Sequence, residues 1–209
     1  MIFRNPPTPL KIIFRLGNII LIFSFSYLVY LYYPLVRAIW FFERQKPAVG
    51  QIFPPPTPPP ISDNKIYEIQ IPRLIARADI VSDVSPYNPA EYLKVLENNV
   101  VAQARGSNFP GDGKGKSIYI FAHSTQQGIS MIRKNAVFYL LGELAKGDVV
   151  FIRYQGLTYS YQVYEQKVVS AKDIQYLQYT EKDKEVLILQ TCWPIGTNWK
   201  RLLVFTERI

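Results

Sequence analysis

Pro54-Pro55-Pro56-Thr57-Pro58-Pro59-Pro60 divides the chain. Six prolines in seven residues can continue neither a helix nor a central strand. Such a tract favours polyproline II and makes a stiff spacer of about 20 Å. It reads as a domain linker, with a ligand for an SH3-type module as the alternative. On its N-terminal side, Leu16 to Val36 is a run of 21 residues without a charge. At about 1.5 Å per helical residue this run can cross a hydrocarbon core of about 30 Å. Tyr27, Tyr30, Tyr32, Tyr33 and Trp40 gather toward one end, as an interfacial aromatic belt does. A cleaved signal peptide would have a shorter apolar region and a small-residue cleavage site. Here the run passes into Tyr32-Tyr33-Pro34 and Arg37, so an uncleaved anchor is expected. The expected layout is an N-terminal membrane anchor at 1–46 with its span at about 16–36, a Pro-rich linker at 47–61, and one folded domain at 62–209.

The formal charge of +8 in 209 residues is unevenly spread. Arg4, Lys11, Arg15, Arg37, Arg44 and Lys46 against Glu43 give the first 46 residues +5, and the remainder carries +3. Most of the excess flanks the apolar run and reads as membrane-surface charge. Three Lys/Arg precede the span and three follow it, so charge sets no orientation. The folded part shows no basic stripe of the kind nucleic-acid binding requires, and no nucleic-acid partner is expected.

Beyond the linker, short β-like runs alternate with turns. Strands are expected at Tyr67–Ile71 (closed by Pro72), Ala78–Val84, Val100–Ala104, Ser117–Ala122, Val149–Tyr154, Leu157–Tyr164, Lys167–Val169, Glu185–Thr191 and Arg201–Thr206. Gln155-Gly156 is a hairpin turn signal. Asn88–Glu97 reads as a short helix, with Asn88 as cap and Pro89 in the first turn. Val137–Leu144 reads as another, and Lys172–Leu177 as a helical turn. About eight strands, few helices and 48% hydrophobic residues predict a mainly β fold, an antiparallel-rich barrel that is closed or nearly so.

Cys192 is the only cysteine and His123 the only histidine. One cysteine excludes an internal disulfide, and one Cys with one His cannot fill an ordinary zinc site. No metal is expected, and no Gly-rich phosphate loop or paired-carboxylate motif is present. A thiol near its free pKa is mostly protonated at neutral pH and needs a base or a charge partner to become a nucleophile. Both residues end apolar runs, Ser117–Ala122 before His123 and Leu187–Thr191 before Cys192. Strand ends of this kind are where side chains from neighbouring strands converge. The bland readings are a buried apolar cysteine and a satisfied interior or surface histidine.

Ala122-His123-Ser124, then Leu187-Ile188-Leu189-Gln190-Thr191-Cys192, then Arg201-Leu202-Leu203-Val204, with the Arg nine residues after the Cys, resemble the sortase family of bacterial cell-surface cysteine transpeptidases. The resemblance covers roughly residues 62–209. Asn98 to Gly111 is similar to the family's Gly-Val-x-His-x-x-Gly-(Thr/Ser)-x-x-Pro-Gly segment, with Gln103 where many members have a second, non-catalytic His. Val137 to Asp148 is similar to its helix followed by Leu-x-x-Gly-Asp. No Asp-Pro-(Phe/Trp) lid motif precedes residue 66, which argues against a lidded pilin-polymerising subclass, and the subclass stays open. The chain ends just after its last strand, so no C-terminal second anchor is expected.

The resemblance implies a sortase-like eight-stranded β-barrel with short helices, lying outside the cell membrane on a single-pass anchor. It implies a catalytic set of Cys192, His123 and Arg201. Cys192 would form a thioester, His123 would shuttle protons, and Arg201 would stabilise the oxyanion or hold the substrate backbone. A surface ion pair is the bland reading of Arg201. Thr191 would either hydrogen-bond substrate or serve as a structural strand residue. Trp193 and Trp199 would wall a groove or pack on the core. The connection Ser170–Lys184 would form one groove wall. The implied partners are exported proteins bearing a C-terminal sorting signal of the Leu-Pro-x-Thr-Gly type and an amine acceptor on the cell wall or on another surface protein. No cofactor is implied. A Cys-dependent hydrolase and a non-catalytic membrane-anchored peptide-binding β-domain are the alternatives.

Overall fold

The computed structural model describes residues 8–45, 67–96, 100–124 and 137–209. The Pro-rich tract and the expected boundaries around it lie outside the described residues, as do Gln126 and its neighbours after Ser124.

Thr8–Gln45 is one helix, α1. Its most apolar stretch, Lys11–Tyr30, is 20 residues long and has no part buried within the protein. The helix is longer at both ends than the span expected at 16–36. Its length and composition fit a transmembrane helix.

Residues 67–209 hold eight strands: β1 (Tyr67–Ile71), β2 (Ala76–Val84), β3 (Val101–Ala104), β4 (Ser117–Phe121), β5 (Val149–Tyr154), β6 (Leu157–Ser170), β7 (Val186–Trp193) and β8 (Lys200–Arg208). They close into a barrel in the order β1-β2-β3-β4-β7-β8-β6-β5, the ring completed by antiparallel β1 and β5. Two neighbouring pairs are parallel, β2 with β3 and β4 with β7. Parallel neighbours need a crossover. The first crossover carries α2 (Pro89–Leu96), and the second carries the β5–β6 hairpin.

The sequence accounts for most of these elements locally. Gln155 and Gly156 both have positive φ, 49° and 78°, the conformation of a two-residue hairpin turn whose twist matches its strands. Pro72 ends β1 in a single 3-10 turn. The runs Leu157–Tyr164 and Lys167–Val169 are one 14-residue strand. A register shift against β8 between Val163 and Glu165 breaks its alternation and hides its continuity in the sequence. Val137–Leu144 is not an α-helix. It forms turns around a short 3-10 segment, Leu141–Glu143. A side chain at Gly142 would meet the Trp193 ring at 3.0 Å. The segment is therefore shaped by packing against β7 rather than by helix propensity, which is weak over eight residues containing a glycine.

Alternation sorts the strands into two faces. Ile118 and Ile120 of β4 lie opposite Leu187 and Leu189 of β7. Leu187, Leu189 and Thr191 lie opposite Thr206, Val204 and Leu202 of β8. All of these are buried and fill the barrel. Ile188, Gln190 and Cys192 face the other way.

Glu185, immediately before β7, ties the barrel together at one end. Its side chain is 2% exposed. It accepts hydrogen bonds from the amides of Gly111 (3.0 Å) and Gly113 (2.8 Å) and from the Tyr161 hydroxyl (2.6 Å). Arg208 Nη1 adds a fourth at 3.2 Å. Gly111 has φ 95° with Tyr159 against it, leaving no room for a side chain. Asp112 closes the same loop by accepting from the Phe109 amide at 2.8 Å. Burial pushes the Glu185 carboxyl up, but the Tyr161 hydroxyl, the two amides and Arg208 together hold it below its ordinary value. A depressed folded-state pKa contributes stability above the unfolded pKa, and that contribution is lost as pH falls through the folded value. Glu185→Gln is expected to cost about 2–3 kcal/mol, the range for hydrogen bonds to a buried charge. Thermal melts across pH 3 to 7 test this, the gap between variant and wild type narrowing at the acid end.

Candidate active site

The far end of β7 carries the candidate nucleophile. Thr191 is buried, and its Oγ1 donates to the Ala122 carbonyl at 3.3 Å. The Ala122 amide donates in turn to the Gln190 carbonyl at 3.1 Å. These two bonds extend the parallel β4–β7 ladder past Phe121, whose partner is Gln190. His123 follows two residues after Phe121, beyond the end of β4, and Cys192 two residues after Gln190 within β7. On the other side, Cys192 is paired directly with Arg201 of β8. Directly opposed residues of an antiparallel pair project from the same face. Cys192 and Arg201 therefore form one row on the outer face of the barrel, and His123 lies two residues past the end of β4, the other neighbour of β7. Sequence order alone does not make these strands neighbours, because 69 residues separate His123 from Cys192.

The row lies between two raised flanks. On the β4 side, Tyr92 of α2 packs edge-on against Phe121, ring centroids 6.1 Å apart. On the β8 side, the 3-10 turn Ile174–Gln178 and Tyr179 cover Phe205. Tyr176 and Tyr179 stand 5.9 and 5.1 Å from that ring. The Ser170–Lys184 connection thus lines one side of the face. Glu181 pins it by accepting from the hydroxyls of Tyr164 and of Tyr179, the latter at 2.6 Å.

Cys192 and His123 are both partly buried. Burial raises the Cys192 thiol above its ordinary pKa, and the nearby Arg201 charge partly offsets this. Burial lowers the His123 imidazole below its ordinary value. Both shifts favour the uncharged thiol and the uncharged imidazole at rest. Arg201 Nη1 donates to the carbonyls of Asn198 and Lys200, each at 3.0 Å. Those bonds hold the guanidinium at the β7–β8 turn, while Nε and Nη2 make no hydrogen bond among the described residues. These residue types can supply a nucleophile, a proton carrier and a fixed cation.

The remaining expected site residues separate. Thr191 faces the core and spends its hydroxyl on Ala122, so it is a strand-tying residue. Trp193 packs over Gly142, whereas Trp199 is 74% exposed beside Arg201. Gln103 is buried, and its Nε2 donates to the Asn108 carbonyl at 2.7 Å, supporting the β3–β4 loop. Among the described residues, no group of three or more His, Cys, Asp or Glu is placed to hold a metal ion.

One feature of this face escaped the sequence reading. Tyr119 Oη donates to Gln190 Oε1 at 2.8 Å, directly below the Cys192 row. The signal was present: Tyr119 lies four residues before His123 and Gln190 two before Cys192. Even spacing in a strand means a shared face.

The raised thiol pKa carries an expectation for alkylation. Iodoacetamide should modify Cys192 slowly at pH 7, with a rate that rises through alkaline pH later than for an unperturbed thiol. Arg201→Ala removes the offsetting charge and should shift the profile further up. At pH 8 that lowers the rate about threefold to tenfold, one pKa unit being a factor of ten in thiolate. A profile unmoved by Arg201→Ala would separate the guanidinium from the thiol.

Comparison with known proteins gives the family. The model of the sortase domain matches residues 69–209. Sortase A from Corynebacterium diphtheriae (a lid mutant) is similar at 26% identity over 69% of each chain, with a TM-score of 0.56. Sortase C-1 from Actinomyces oris is 27% identical over 68% of this chain and 72% of that one, TM-score 0.55. Sortase C1 from Streptococcus agalactiae is 27% identical over 68% and 66%, TM-score 0.57. No curated protein sequence matches the chain. With the family model covering well over half of the residues, and the eight-stranded barrel in agreement, the chain belongs to the sortase family.

Proposed function

We propose that this protein is a membrane-anchored sortase whose catalytic residues are Cys192, His123 and Arg201. The observation that supports the reading is Cys192 directly opposite Arg201, with His123 two residues past the end of β4, the other neighbour of β7. Members of the family are cysteine transpeptidases, and this chain has one cysteine and one histidine. No other residue pair in the chain can take these two roles.

In the proposed reaction an extended peptide lies on the outer face of β4, β7 and β8. As it binds, water leaves and the thiol proton passes to His123. The sulfur attacks the carbonyl before the scissile bond. Arg201 stabilises the oxyanion through its free N–H groups, in a site where such interactions are strong. His123 then gives its proton to the leaving amine, and a thioester remains on Cys192. An incoming amine loses a proton to His123, attacks the thioester and releases the thiol. The resting neutral pair suits this cycle, because each partner begins in the form its first step requires.

The proposed substrate is an exported protein with a C-terminal sorting signal of the Leu-Pro-x-Thr-Gly type. The proposed acceptor is an amine of the cell wall or of another surface protein. The apolar, uncovered α1 supports anchoring, with 47–61 as linker and the folded domain beyond it on the extracellular side.

Cleavage of a Leu-Pro-Ala-Thr-Gly peptide tests the assignment. Cys192→Ala is expected to abolish cleavage with the melting temperature preserved. His123→Ala should reduce the rate about 10²- to 10⁴-fold, and Arg201→Ala about 10²- to 10³-fold. A Cys192→Ala variant that still cleaves would overturn the reading. Adding hydroxylamine or triglycine should divert product from acid to hydroxamate or amide. Product that stays acid at every amine concentration would identify a hydrolase instead.

A further inference from the structure

The Ser170–Lys184 connection leaves β6 beside the site. Val169 is the β6 partner of Arg201, and Ser170 that of Lys200. Because β6 and β7 both run antiparallel to β8, the connection has to return along the barrel to begin β7. Its 3-10 turn, Ile174–Gln178, has no buried residue, so burial of apolar area contributes little to its placement. Polar contacts decide it instead. Glu181 Oε1 accepts from the hydroxyls of Tyr164 and of Tyr179, the latter at 2.6 Å. Glu181 Oε2 lies 3.3 Å from Lys184 Nζ, which is also 3.1 Å from Glu207 of β8. The same ammonium stands 4.1 Å from the centre of the Tyr164 ring, within cation–π range. One carboxylate thus ties the connection to β6 through Tyr164 and, through Lys184, to β8. Tyr164 is available for this because of the β6 bulge. Val163 pairs with Thr206 and Glu165 with Phe205, which leaves Tyr164 without a partner on β8. A bulge re-aims a side chain, and the Tyr164 ring lies 6.2 Å from that of Phe205.

Resting on the transpeptidase reading, we infer that Tyr164, Glu181 and Lys184 are positioning residues that clasp the Ser170–Lys184 connection to the barrel and so set one wall of the Cys192 face before substrate arrives. A connection held only at its two ends has many arrangements open to it. The clasp removes them in the free protein, so an arriving peptide does not have to order the wall. Preorganisation of this kind appears as affinity. The clasp is remote from the thiol. Glu207 is the β8 partner of Val186, six residues before Cys192, which is about 20 Å along a strand. Loosening it leaves the reactivity of Cys192 itself unchanged and weakens the hold on a peptide.

The test uses the full chain and three alkylating reagents. A Leu-Pro-Ala-Thr chloromethyl ketone reports recognition, an acetyl-alanyl chloromethyl ketone reports labelling without it, and iodoacetamide reports the thiol alone. Tyr164→Phe keeps the ring and removes only the hydroxyl. It should slow the peptide reagent about tenfold, a usual figure for one hydrogen bond to a charged group. The loss should appear as a higher half-saturating concentration at an unchanged limiting rate, with the other two reagents within about twofold of wild type. Glu181→Gln should slow the peptide reagent at least as much. Adding Tyr164→Phe to it should cost less than about twofold more, since both changes act through one contact. Peptide labelling unchanged in the two folded single variants would overturn the clasp while leaving the sorting-signal reading intact. An equal loss with all three reagents would overturn it too, as the mark of general loosening. A wild type that labels no faster with the peptide than with the acetyl-alanyl reagent would overturn both.

Discussion

The parallel pairing of β4 with β7 is the constraint on which the site depends. From Ser117 opposite Val186 to Phe121 opposite Gln190 the register is unbroken, and both strands are buried on both faces over most of that length. Continuous burial explains why these two runs read as unbroken apolar sequence rather than as clean alternation. It also fixes the register, because a slip of one residue would turn Thr191 outward and Cys192 into the core. The barrel beyond the pair serves this alignment. Glu185 anchors β7 at its start, and Trp193 packs on Gly142 at its end.

Several parts of this were legible in the sequence and others were not, for identifiable reasons. The strands, the Gln155-Gly156 turn and the helix after Asn88 rest on local chemistry, and local chemistry is what a sequence displays. The chemistry-bearing residues were visible because they are singular: a chain with one thiol and one imidazole leaves little choice. Their convergence was not derivable from spacing, since it depends on which strands pair. Only the Cys192–Arg201 opposition follows from a short connection. The resemblance to a family supplied the rest; the structure adds the Cys192–Arg201 pairing and a parallel β4–β7 register that runs to Phe121 opposite Gln190. Val137–Leu144 was misread because packing against Trp193 overrides a weak helical tendency. The bulge that joins two runs into β6 left no local mark.

Polar residues divide by face along these strands. Thr191 and Thr206 face inward and spend their hydroxyls on neighbouring strand carbonyls, so they bind strands together. Gln190 faces outward and keeps a donor in reserve. The same residue class thus ties strands together or stands on the outer face according to the parity of its position, which is read from the sequence only once one member of the face is known.

The neutral resting pair has a consequence for how Cys192 meets oxidants. Oxidants such as peroxide attack thiolates far faster than thiols. A half-buried Cys192 kept protonated by its surroundings presents little thiolate between encounters with substrate. With no second cysteine in the chain, a sulfenic acid formed there would have no internal thiol to capture it as a disulfide. Slow chemistry of the free thiol is in that sense protective.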